Sequence, residues 1–282
     1  MQLKNLQAIL RKGKTLASFW GETSGLFESS RDRAKYCSRW FKGKLERNLG
    51  IHEKNWIGMY VLNLKISGRP VRLAIRPSMD SGTLYEVFHK KLYQVDPKVQ
   101  VEKVLDIGSN IGCSVLFFAS LFPNARFVCY EPVRENYDLL VQNIRDNGLK
   151  QSAETHMDAI SDKTGVGTIY LSTQAHPGQH SLILHSKFHR QVGLRDINSF
   201  GERPFDLIKI DSEGSEDAIF RKGTGTLINA KILVGELHQE IIGNGRVKEI
   251  MAWLEEHFDV EYRTREPTVN FVAYNKALNH RG

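Results

Sequence analysis

Asp106, Gly108, Asn110 and Gly112 open the run VEKVLDIGSNIGCSVLFFASLFPNARFVCYE, and Glu131 closes it. Glycine lets a backbone pass close to a ligand and reach positive φ, and a helix starting near Ile111 aims unpaired amides at whatever lies in the turn. With Ser109 between them, these residues form a turn of the kind that cradles a nucleotide-type cofactor. Glu131 lies nineteen residues past Gly112, where an acid can accept hydrogen bonds from both ribose hydroxyls. Asp106 bears on which cofactor this is. A carboxylate at the mouth of the turn repels the phosphates of a dinucleotide, whereas S-adenosylmethionine carries an α-amino group and a sulfonium and no phosphate. The pattern favours S-adenosylmethionine, with NAD as the alternative.

A second set of residues could move a proton. In DLIKID, Lys209 and Asp211 alternate onto one face of a strand that should be apolar throughout if it is central and parallel. Burying two charges is costly unless they pair or act. Glu213 follows, and Glu236 and His238 share a face on the next strand, as a base and its orienting acid would. Capping of the helix near Ser215 is the structural alternative for Asp211 and Glu213. Three carboxylates and a histidine also suit a divalent metal, which is not the favoured use. Arg76, Asp80 and His180 are weaker candidates for substrate contacts.

These residues need a scaffold that brings strand ends together. Val104 to Ile107 and Phe127 to Tyr130 are strands flanking a helix over Val115 to Leu121. Arg134 to Asn147 is helical until Gly148. Residues 153–160 make a third strand whose last residues, Asp158 and Ala159, are placed to meet an adenine amino group and ring. A strand over Gly167 to Ser172 pairs with its neighbour, and 174–184 is a loop carrying His180. Strands over 206–211 and 231–237, a helix over 247–257 and an antiparallel pair, 260–264 and 269–275, complete the unit. The class is α/β, a doubly wound, mostly parallel Rossmann-like sheet with a C-terminal antiparallel pair. Its working edge is the C-terminal end of the strands.

Ahead of it, residues 1–57 read as a basic helical extension, and 58–98 as a hairpin and helix belonging to the main domain, 58–282. The helix runs from Asp80 to Tyr93, with Asp80 or Ser81 near its cap. Within the 282 residues the formal charge is +7, and the first fifty hold eleven Lys or Arg against four Asp or Glu, which accounts for all of it. Such a segment, opened by a short amphipathic helix around Leu3 to Leu10, suits a membrane surface or an anionic acceptor. Cys37, Cys113 and Cys129 are odd in number and show no metal spacing, so a reducing, cytoplasmic setting is expected, peripheral to a membrane if the basic segment binds one. No signal-peptide core opens the chain. Neither an Asn/Asp-Pro-Pro-aromatic motif nor a Pro-Cys nucleophile is present. Base N-methylation and cytosine chemistry are therefore disfavoured, and a small-molecule or glycan acceptor is expected rather than nucleic acid.

DIGSNIG, the Glu-Pro after the second strand, IKIDSEGSE and GELH together resemble the FkbM family of S-adenosylmethionine-dependent methyltransferases. RPSMD at Arg76 to Asp80, GQHSL at Gly178 to Leu182 and Tyr93 extend the resemblance. It implies a class I methyltransferase fold and O-methylation of natural products or glycans. By that resemblance Asp106, Gly108, Asn110 and Gly112 hold the methionine moiety, Glu131 the ribose and Asp158 the adenine. A non-catalytic anion-binding module on the same fold is the remaining alternative, disfavoured because the motif acids stand together.

Overall fold

The computed structural model describes residues 20–48, 59–76, 80–170, 188–201, 205–264 and 268–279. The chain divides into two compact units, Met1–Lys90 and Lys91–Gly282.

In the first unit, α1 spans Ser30–Asn48. Ser29 caps it, its hydroxyl accepting from the Asp32 amide at 3.0 Å and donating to the Asp32 carboxylate at 3.1 Å. A hairpin follows, β1 (Tyr60–Ile66) against β2 (Arg69–Ile75). Its two-residue turn has both φ values positive, Ser67 at 49° and Gly68 at 81°, which matches the twist of antiparallel strands. Leu62, Leu64, Leu73 and Ile75 are fully buried, and so is Tyr36 of α1, whose hydroxyl donates to the Ser81 carbonyl at 2.9 Å. The helix expected from Asp80 to Tyr93 is shorter: α2 (Ser81–Leu84) runs into a π-helical turn over Tyr85–His89 and stops. Asp80 forms no side-chain cap there, because its carboxylate is taken by Arg76.

The second unit alternates strands and helices. In order they are β3 (Lys103–Ile107), α3 (Cys113–Leu121), β4 (Arg126–Tyr130), α4 (Arg134–Asp146), β5 (Ala153–His156), β6 (Asp158–Ser161), β7 (Gly165–Tyr170), β8 (His189–Asp196), β9 (Leu207–Ile210), α5 (Glu216–Lys222), α6 (Thr224–Leu227), β10 (Ile232–His238), α7 (Gln239–Ile242), α8 (Asn244–His257), β11 (Phe258–Thr264), β12 (Thr268–Asn275) and α9 (Lys276–Asn279). Seven strands form one sheet in the order β5-β4-β3-β9-β10-β12-β11. Only β12 runs antiparallel to its neighbours, so the sheet is the doubly wound, Rossmann-like one expected, closed by its C-terminal pair. None of its strands comes from the basic first fifty residues.

The order reverses direction at β3 and β9, where the crevice at the strand ends opens. Register sets Asp106 directly beside Lys209 there, two charges in a layer of buried Leu105, Ile107, Ile208 and Ile210. The single strand expected over 153–160 is two: β5 joins the main sheet, and after Met157 β6 leaves it for a small sheet ordered β6-β8-β7. Strand β8 was not anticipated; its sequence HRQVGLRD buries only Val192 and Leu194 and gives a weak alternation signal. Among the described residues no helix is long and apolar enough to cross a membrane.

Candidate functional site

The turn after β3 is built by the glycines. The amides of Gly108 and Ser109 donate to the Tyr130 carbonyl at 3.0 and 2.9 Å, tying the turn to β4. Gly108 has φ +75°, and a Cβ there would stand 1.8 Å from the Asp211 carbonyl oxygen. No other residue fits without moving β9's end, so Gly108→Ala lowers unfolding free energy by about 1–3 kcal/mol from crowding alone. A denaturant midpoint equal to wild type would contradict this. Asn110, at φ 50°, donates its amide to Glu131 Oε2 at 2.8 Å. Gly112, at φ +90°, lies against Leu140 and leads into α3.

Glu131 is buried in this turn. It also accepts from the Val133 amide at 2.9 Å and the Asn136 side chain at 3.3 Å. Burial pushes its pKa up to about 6, with these hydrogen bonds pulling the other way. A carboxylate has about four lone-pair sites, so Oε2 keeps one for an incoming hydroxyl. Beside it Ala159, Ile160, Tyr130, Val133 and Ile169 make an apolar wall of one cleft, which continues past Gly108 and Asn110 to Asp211, Ser212, Glu213 and Ser215.

Two residues assigned to the cofactor lie elsewhere. Asp106 is fully buried, with Oδ2 accepting from the Ser114 hydroxyl and Oδ1 3.4 Å from the Lys209 ammonium. It holds Lys209 and does not face the cleft. Strand alternation that brings Ala159 to the cleft turns Asp158 away, its carboxylate resting on β8 where a Cβ on Gly193 would be 1.9 Å from Oδ1.

Lys209 ties the turn to the acids. Its ammonium donates to the carbonyls of Ile107 and Gly108 at 3.2 and 2.5 Å and stands 3.4 Å from Asp211 Oδ2. Burial pulls its pKa down, but Asp211, Asp106 and Glu236 outweigh that and raise it to about 12. Tyr93 donates to Asp211 Oδ2 at 2.9 Å and reaches Glu236 Oε1 at 3.0 Å. Burial and these two acids keep its hydroxyl protonated. Asp211 itself is held below the usual range: burial raises it, and Lys209, His238 and Tyr93 more than offset this.

The expected pairing of His238 with Glu236 is replaced. His238 Nδ1 lies 2.9 Å from Glu216 Oε1, while Glu236 Oε2 stands 4.0 Å from Nε2. Glu216 is fully buried and also accepts the amides of Ser212 and Gly214 at 3.2 and 2.7 Å, so the turn-capping role belongs to it and not to Asp211 or Glu213. Burial lowers the His238 pKa, but Glu216, Glu213 and Asp211 raise it to about 10, which makes the ring an imidazolium at neutral pH and not a free base. Glu213, at φ 52°, is pushed up to about 8, by burial first and then by Asp211, Glu216 and Glu240, against His238.

Both shifts carry the same sign for stability. A histidine raised from 6.5 to about 10 stabilises the fold fully below pH 6.5 and loses that contribution as pH climbs. A carboxyl raised from 4.5 to about 8 favours the fold at low pH and loses this on the way to 8. The unfolding midpoint should therefore fall as pH rises from about 6.5 to 9. A thermal melt series checks it, and a midpoint that rises across that window contradicts the assignment.

Of the remaining candidates, Arg76 and Asp80 pair with each other in the first unit, guanidinium to carboxylate at 3.0 and 2.7 Å. His180 lies outside the described residues. Reasoning from sequence left out Glu216 and gave Tyr93 no role; the second Glu of IKIDSEGSE was the available signal for the first.

Solved structures are similar only at a distance. The fibrillarin/Nop5p complex gives a TM-score of 0.46 at 12% identity over 77% of this chain and 97% of that one. Cofactor-bound Rv0187 from MTB gives 0.44 at 12% over 90% and 94%. Precorrin-6y C5,15-methyltransferase from Geobacter metallireducens GS-15 gives 0.39 at 11% over 63% and 83%. No curated protein matches the sequence. The model of the methyltransferase FkbM domain matches residues 106–261, from the buried Asp106 through the glycine turn, Glu131 and the His238 cluster, and the chain belongs to that family, with a class I methyltransferase fold.

Proposed function

We propose that the protein is an S-adenosylmethionine-dependent O-methyltransferase acting on a hydroxyl of a glycan, glycolipid or natural-product acceptor. The observation that carries this reading is the polar lining of the cleft. Asn110 Oδ1, Ser212 Oγ and Glu213 Oε2 are buried and have no hydrogen-bond partner among the described residues. Buried polar atoms without partners cost about 1–3 kcal/mol each, so these oxygens fit a ligand that brings hydrogen-bond donors. An α-ammonium matches that requirement, and Glu131 with the Ala159–Ile160 wall suits a ribose and a base.

Bound there, the cofactor supplies an electrophilic methyl group. Asp211, Glu213 and Glu236 stand together at the same strand ends, where a carboxylate would take the proton of an acceptor hydroxyl as it is methylated. Asp211, kept ionised by Lys209 and His238, is the proton acceptor, and the His238 imidazolium offsets the charge on its neighbours. The apolar wall excludes water. The basic N-terminal segment suits an anionic or membrane-borne acceptor, and the buried Cys37, Cys113 and Cys129 suit a reducing compartment.

The test is methyl-labelled S-adenosylmethionine incubated with panels of sugar nucleotides, glycolipids and polyketides. Label recovered as a base-stable methyl ether supports the reading. Label only on nitrogen or as an ester overturns the hydroxyl assignment.

A further inference from the structure

We propose that His238, Asp211 and Glu213 form a divalent-cation site at the floor of the cleft, completed by Glu236. The His238 side chain is only 5% exposed, and three carboxylate oxygens surround its Nε2: Glu213 Oε2 at 3.4 Å, Asp211 Oδ1 at 4.0 Å and Glu236 Oε2 at 4.0 Å. The ligand atoms of Asp211, Glu213 and His238 all lie within 4.8 Å of one another. An ion with bonds of about 2.1 Å to nitrogen and oxygen spaces tetrahedral donors about 3.4 Å apart, so no pair of these ligand atoms need close by more than about 1.4 Å.

The far sides of His238, Asp211 and Glu236 are already held, as metal ligands require. Glu216 takes Nδ1 of the ring at 2.9 Å, which fixes the tautomer that offers Nε2. Tyr93 takes Asp211 Oδ2 and Glu236 Oε1, leaving Asp211 Oδ1 and Glu236 Oε2 turned to the ring. Glu213 reaches in from a left-handed backbone with Oε2 buried and without a hydrogen-bond partner. Lys209 stands 3.4 Å from Asp211 Oδ2, the oxygen that Tyr93 also takes.

One imidazole with carboxylates suits Mn2+ or Zn2+ better than Mg2+, which keeps several waters and prefers oxygen alone. Uptake displaces the Nε2 proton. If the methyl-transfer reading holds, the ion would also polarise the acceptor hydroxyl and lower its pKa. Asp211 would then act as a ligand in place of a base. A six-coordinate ion such as Mn2+ keeps two positions beyond the four protein ligands, which fits an acceptor with two neighbouring oxygens, such as a vicinal diol of a sugar.

Chelator-stripped full-length protein is titrated with Mn2+, free ion being read by electron paramagnetic resonance, and with Zn2+ by calorimetry. One ion per chain is expected, with uptake at least about tenfold weaker in Glu213→Gln, Asp211→Asn and Glu216→Gln, the folding of each confirmed by circular dichroism. Absence of uptake of either ion by the wild type overturns the proposal, as does uptake unchanged in the folded variants. S-adenosylhomocysteine titrated into the same stripped protein reads the other site. Its binding without ion uptake sinks this inference alone, and ion uptake without its binding leaves the ion site standing and sinks the methyl-transfer reading.

Discussion

Lys209→Met unfolds at markedly lower denaturant, losing about 3–5 kcal/mol of the 5–15 typical of a domain. The lysine is the cation between two acids, at 3.4 Å from each, and Asp106 is fully buried with an oxygen that has no hydrogen bond. Methionine fills the volume but leaves Asp106 uncompensated in an apolar layer, and it releases the carbonyls of Ile107 and Gly108 that the ammonium gathers. Removing one member of a buried pair costs far more than removing both. The double variant Asp106→Asn, Lys209→Met should therefore recover a large part of the loss, and urea unfolding of the two singles and the double measures this coupling. A single variant within about 0.5 kcal/mol of wild type would show that the pair is solvated and not part of the core.

Asp211→Asn should lower kcat by about 10²–10⁴-fold, the range for losing a group that handles the proton. Asparagine keeps the volume and can still receive the Tyr93 hydroxyl, so the change is in charge and not in packing. Its loss removes the carboxylate that Lys209 and His238 hold ionised at the cleft. The expected pattern is a fall in kcat with acceptor KM within a few-fold, since the interaction acts mainly in the transition state. Turnover equal to wild type would place the reacting oxygen away from these strand ends.

The glycine turn and the polar anomaly in β9 were legible because each breaks a local rule. Glycines crowd where a strand meets a helix, and Lys209 and Asp211 interrupt a strand that the sheet buries on both faces. What could not be read was partnership across the chain. Asp106 looks like a ligand contact until the register of β3 and β9 sets it beside Lys209, and no local pattern specifies which strand lies next to which. The pairing of Glu216 with His238 spans 22 residues, and that of Tyr93 with Asp211 spans 118. Glu236 seemed the partner of His238 because alternation puts them on one face, yet an acid two residues along a strand cannot reach the ring's Nδ1 as well as one delivered by the first turn of α5. Asp158 was misplaced for a similar reason: the break at Met157 moves it into another sheet, whose polar strands carry little period-two signal.

The account stands on the cleft between the glycine turn and Asp211 being a site for S-adenosylmethionine. Isothermal calorimetry with S-adenosylhomocysteine and, separately, NAD measures this without any acceptor in hand. The account predicts that S-adenosylhomocysteine binds, that NAD does not, and that Glu131→Ala weakens binding by roughly ten- to a hundredfold, the loss of one charged hydrogen bond at about 1.5–3 kcal/mol. Binding of NAD in preference, or S-adenosylhomocysteine held as tightly by a folded Glu131→Ala as by wild type, would contradict it.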